Sequence, residues 1–153
     1  MFKDNLKIVK ILLEKVGDGK IEDRDGNTPL IVASINGKLD MAKLLLDHGE
    51  EINAKNDLGS TALMNAALNG HLEVVRLLLD HGANVDDKNN YGNTAFMGAA
   101  FYRHLEVVKL LLDHGADING KNNEGKTALK EASETGHLEI VKFLLARGAK
   151  PSK

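Results

Sequence analysis

Glycines recur in this chain every 33 residues, and that interval constrains the fold more than any other feature. Gly26, Gly59, Gly92 and Gly125 form one series, and Gly49, Gly82, Gly115 and Gly148 a second. Thr28, Thr61, Thr94 and Thr127 keep the same step. A fixed period of about 20–50 residues marks a solenoid, in which units bury apolar surface only by stacking on one another. Residues 56–89 show the unit most plainly. Thr61 suits a helix N-cap, because its hydroxyl can accept from a first-turn amide. In the first copy Thr28 is followed by Pro29, which is pre-shaped for the first helical position. The pattern predicts a short helix over 62–68, ended at Asn69-Gly70, and a second over 72–80, ended by Gly82. That second helix carries Leu72, Val74, Val75, Leu77, Leu78 and Leu79, so it is apolar nearly all round and belongs between neighbours. Residues 83–92 are rich in Asn, Asp and Gly and read as a projecting hairpin or loop.

The segments DGNTPLIVA, LGSTALMNA, YGNTAFMGA and EGKTALKEA, each followed by a version of LEVVKLLLDHGA, resemble ankyrin repeats. The resemblance covers roughly residues 6–150. It implies an all-α solenoid of stacked antiparallel helix pairs with projecting β-hairpin loops. It also implies one domain over 1–153: a partial N-terminal repeat at 6–22 and full repeats at 23–55, 56–88, 89–121 and 122–153. The implied function is non-catalytic protein–protein binding through a concave face, with no cofactor. One departure stands out. Ile31, Met64, Met97 and Lys130 occupy the place of the family's TPLH histidine, which leaves the rigidity of the hairpins in question.

Bulk properties narrow the alternatives. The chain has 153 residues, a net charge of −2 and no cysteine. Charges of both signs are mixed, so no basic stripe suggests a nucleic-acid partner. No apolar run reaches membrane-spanning length, and the amphipathic, charged N-terminus is unlike a signal peptide. A protein without thiols is compatible with a reducing cytoplasm.

Several constellations resemble chemistry without supporting it. His48, His81 and His114 form one ladder, and His71, His104 and His137 another. Equivalent residues in stacked repeats sit roughly 8–10 Å apart, too far to share a zinc ion. A structural role at the helix ends is therefore expected. Asp47, Asp80 and Asp113 are periodic too, whereas a catalytic group occurs once. Asp18-Gly19-Lys20 lacks the Ser/Thr and the earlier glycine of a phosphate loop. Asp23-Arg24-Asp25-Gly26 resembles the middle of a calcium loop, but Ile21 and Val32 would fill its first and last ligand positions.

The informative residues are those that break the repeat on its exposed side. The position before the loop glycine reads Asp25, Leu58, Tyr91, Glu124. The late first-helix positions read Ile35, Leu68, Phe101, Glu134 and Asn36, Asn69, Tyr102, Thr135. Leu58, Leu68, Tyr91, Phe101 and Tyr102 thus form a candidate partner-binding patch in the two central repeats, with polar residues on either side. Arg103 joins it, standing where other copies have Gly37, Gly70 and Gly136. A left-handed turn kept there would cost about 1–2 kcal/mol.

The ends are read less symmetrically. Residues 6–16 look like a second helix without its first, with Phe2 available to cover it. Ile21 lies five residues before its glycine where other copies have seven, so the loop at 17–20 should take another path. Lys130, Glu131 and Glu134 look like a partial polar cap. A monomer is expected, with two alternatives: a homo-oligomeric scaffold joined through exposed repeat ends, or an engineered repeat scaffold without a natural partner.

Overall fold

The computed structural model describes residues 22–151. The half repeat before them, the Phe2 cover and the irregular loop at 17–21 lie outside the described residues. Eight helices follow in four pairs: α1 (Pro29–Ile35) with α2 (Leu39–Asp47), α3 (Ala62–Leu68) with α4 (Leu72–Asp80), α5 (Ala95–Phe101) with α6 (Leu105–Asp113), and α7 (Ala128–Thr135) with α8 (Leu138–Ala146). Among the described residues there is no strand.

Local chemistry sets these limits. Each first helix starts at a threonine whose hydroxyl accepts from the third helical amide, as Thr61 does from Met64 N at 3.3 Å. Each ends before a turn that needs a left-handed residue, and Gly70 supplies it at φ 72°. Gly70 also leaves room for the next unit: a Cβ there would lie 2.5 Å from His104 Nδ1. The first three second helices are capped by histidine, and α8 by Arg147. His48, His81 and His114 donate from Nδ1 to the carbonyls of Leu44, Leu77 and Leu110 at 2.8–3.0 Å, which satisfies last-turn acceptors.

Stacking builds the core. Leu45, Leu78, Leu111 and Leu144 are fully buried in the second helices, and Phe96 takes the buried position of Leu30, Leu63 and Leu129. First helices approach one another more closely than second helices do. Small residues allow it: Ala66, Ala67, Ala99 and Ala100 have no exposed surface. Tighter packing on one side of a stack bends it toward that side, so the first helices line the concave wall.

The histidines of the second ladder cross between units. His71, His104 and His137 donate from Nε2 to the carbonyls of Ile35, Leu68 and Phe101, the last residue of the preceding first helix, at 2.8–2.9 Å.

The projecting loops are held by other bonds than those of the TPLH histidine. Two backbone bonds close each, such as Asn56 N to Ser60 O at 3.0 Å and Gly59 N to Asn56 O at 2.9 Å, which make a tight turn and not a strand ladder. One side-chain oxygen does the rest: Asn56 Oδ1 accepts from Leu58 N and Ser60 N, and Asn89, Asn122 and Asp23 repeat the motif. Accepting these donors, the Asn27 amide first, holds the Asp23 carboxyl below the ordinary aspartate range. Neighbouring tips are also joined, Asn90 N donating to Leu58 O and Asn123 N to Tyr91 O at 2.9 and 3.0 Å.

At the C-terminal end the two helices differ. Lys130 and Ser133 are exposed where Met64, Met97, Ala67 and Ala100 are buried, so α7 presents a polar end face. On α8, Leu138 and Leu145 stay exposed.

Candidate functional site

The residues singled out from the sequence all face away from the core or border it, but they fall into two groups. Leu58 and Tyr91 project from adjacent loop tips, 54% and 60% exposed. Phe101 and Tyr102 lie at the far end of α5, 38% and 55% exposed, their rings edge to face at 5.0 Å. A seven-residue helix separates the groups, about 10 Å of rise.

Leu68 belongs to the second group in a different capacity. It is half-buried because α5 has a glycine opposite it: a Cβ on Gly98 would meet Leu68 Cβ at 3.2 Å. The close approach of α5 at Gly98 thus covers part of Leu68 and leaves the rest of it exposed at the end of α3. Asn65 in the middle of α3 and Asn69 at its end spend their amides on the carbonyls of Thr61 and Asn65, both at 2.9 Å. The centre of the wall is thus low and neutral, with rings standing at its upper and lower borders.

Arg103 holds φ 71°, the one positive value at a non-glycine residue among the described residues. Its histidine partner in the next unit still bonds, His137 reaching Phe101 O at 2.8 Å. The turn has kept its left-handed form rather than relaxing. Arg103→Gly is therefore expected to stabilise the protein by about 1 kcal/mol in urea melts; an unchanged midpoint would mean the strain is absent.

Sequence reasoning placed Glu124 and Glu134 on this wall but missed the cation that joins them. Glu134, read as capping, occupies the Phe101 position and accepts from Lys126 Nζ at 3.0 Å. Glu124 lies 3.9 Å from the same ammonium, and Glu131 receives Asn122 Nδ2 at 3.5 Å. Glu134 most of all, then Glu124 and Glu131, raises the Lys126 pKa. The available signal was Lys126 itself, a cation where the other copies carry Asn27, Ser60 and Asn93. Val32 was missed as well; it adds exposed apolar surface on α1.

No three His, Asp or Glu side chains converge among the described residues, and no described helix is long and apolar enough to cross a membrane. A family model described as ankyrin repeats (3 copies) matches over residues 1–56, 50–122 and 89–153. No curated protein matches the chain.

Proposed function

The chain belongs to the ankyrin-repeat family, whose members generally serve protein–protein interaction, and from that premise we propose that it is a non-catalytic module that holds a protein partner against its concave wall. The supporting observation is the confinement of exposed rings to one side of the central repeats. Tyr91, Phe101 and Tyr102 stand there, while the outer face of α4 and α6 carries Glu73, Arg76, Glu106 and Lys109. Large aromatic side chains supply contact area at small entropic cost, and a pre-ordered wall loses little freedom on binding.

Hydrogen exchange on a complex with a captured partner tests the reading. Protection is expected at residues 58, 91 and 98–103. Protection confined to α4 and α6 would place the interface on the wrong face.

A second reading is a scaffold joined through repeat ends, favoured by Leu138 and Leu145, 68% and 46% exposed on α8. Two isolated leucines beside the polar α7 end make a small apolar area for a stable interface. Light scattering after size exclusion is therefore expected to give one monomer mass across concentration; a mass rising toward a dimer would favour the scaffold.

A further inference from the structure

The concave wall changes character along the stack in one direction. Repeats two and three present Leu58, Leu68, Tyr91, Phe101 and Tyr102, and the fourth presents carboxylates at the tip and late-helix positions and Thr135 at that of Tyr102. Glu124 replaces the tip residues Leu58 and Tyr91, Glu131 replaces Asn65 and Gly98, and Glu134 replaces Leu68 and Phe101. Glu124 and Glu134 pair with one cation, Lys126, and Glu131 receives only the neutral Asn122 amide, so three carboxylates against one ammonium leave the fourth repeat with an uncompensated negative charge on this wall. These glutamates are not an end cap. Lys130 and Ser133 occupy the positions that a further unit would cover, whereas Glu131 and Glu134 follow the side that carries Leu68 and Phe101. Farther up the wall, Asp25 and Asp57 flank the apolar tips. Arg24 and Arg103 oppose them, Arg24 at the first tip and Arg103 at the turn between α5 and α6.

Resting on the proposed concave reading, we propose that the partner segment is cationic, with a bulky apolar anchor seated among Tyr91, Phe101 and Tyr102 and Lys or Arg side chains reaching Glu131 and Glu134. Charge complementarity carries this. A partner carboxylate over the fourth repeat would face three like charges, and an apolar one would strip water from them without replacement. The geometry sets a spacing. One repeat step is roughly 8–10 Å, so anchor and cation lie about three residues apart in an extended segment at 3.3 Å per residue. In a helix at 1.5 Å per residue the interval is about six. The polarity is fixed as well: the cation lies toward α7 and the anchor toward α5.

Selection of a random dodecapeptide library on the immobilised protein, followed by fluorescence anisotropy, tests the proposal. Enriched peptides are expected to pair an aromatic or branched residue with Lys or Arg at one of these spacings. Their affinity should fall at least tenfold for Glu131→Gln/Glu134→Gln. It should rise several-fold for Lys126→Gln, which removes the competing cation and which a merely structural role for the glutamates would not produce. Acidic or neutral peptides that still require Tyr102 would overturn the cationic partner and leave the concave site standing. Peptides indifferent to both Tyr102 and the glutamates would count against the proposal and the concave site together. An unenriched library would overturn the proposal too, leaving the exchange footprint of a folded partner as the separate test of the wall.

Discussion

Leu111→Ala is expected to destabilise the array by about 3 kcal/mol, measured as a lowered urea midpoint. Leu111 is fully buried on α6, against the helix pairs on both sides. Truncation loses the transfer free energy of the deleted groups and leaves a cavity that close-packed helices cannot fill by collapsing. The position along the stack adds to the effect. A repeat array is held by its units and the interfaces between them, so damage to a central unit weakens two interfaces at once. Leu144→Ala removes an equally buried side chain from α8, whose helix pair packs against one other described pair, α5 with α6. That variant should lose its last repeat early, with a broadened transition, and keep the rest near the wild-type midpoint. A loss below about 1 kcal/mol at Leu111 would mean that the second helices do not form a shared core.

Phe101→Ala/Tyr102→Ala is expected to do the reverse: leave the fold and remove binding. Both rings are substantially exposed, so their burial contributes little, and the edge-to-face pair adds roughly 0.5–1.5 kcal/mol at most. The thermal midpoint should move by a few degrees. Anchor residues at a desolvated centre each contribute about 2 kcal/mol or more to binding, so the double variant should lose at least about a hundredfold in affinity. Titration calorimetry beside a melt reads both quantities. A variant that unfolds would make the rings part of the core, and one that binds normally would move the interface elsewhere.

The helix limits were legible because they are set within a few residues. A threonine that caps its own helix and a glycine that must turn left leave their mark wherever the structure stands. The period supplied the rest, since identical units can bury identical faces only by stacking. What escaped notice depends on neighbours. Leu68 reads as an exposed anchor on its own helix, and only the absent side chain of Gly98 one unit away lets the neighbouring helix come close enough to half-bury it. Glu134 reads as a cap until Lys126, eight residues earlier in the chain, is seen stretched along α7 to meet it. The loops followed the same rule. Their missing histidines suggested slack, while the asparagines that hold them looked like ordinary turn residues. The division of the aromatic patch into tip and helix-end groups was implicit in the predicted helix length but was not drawn from it.

The central claim is that successive units stack without interruption and leave the rings of the middle repeats on a common outer wall. Aromatic NMR with a soluble paramagnetic agent tests it most directly, because Phe96, only 1% exposed on the same helix as Phe101, is an internal reference. The rings of Tyr91, Phe101 and Tyr102 should relax strongly while Phe96 stays silent, and a bound partner should quench all three responses. Phe101 and Tyr102 as protected as Phe96 in the free protein would contradict the claim.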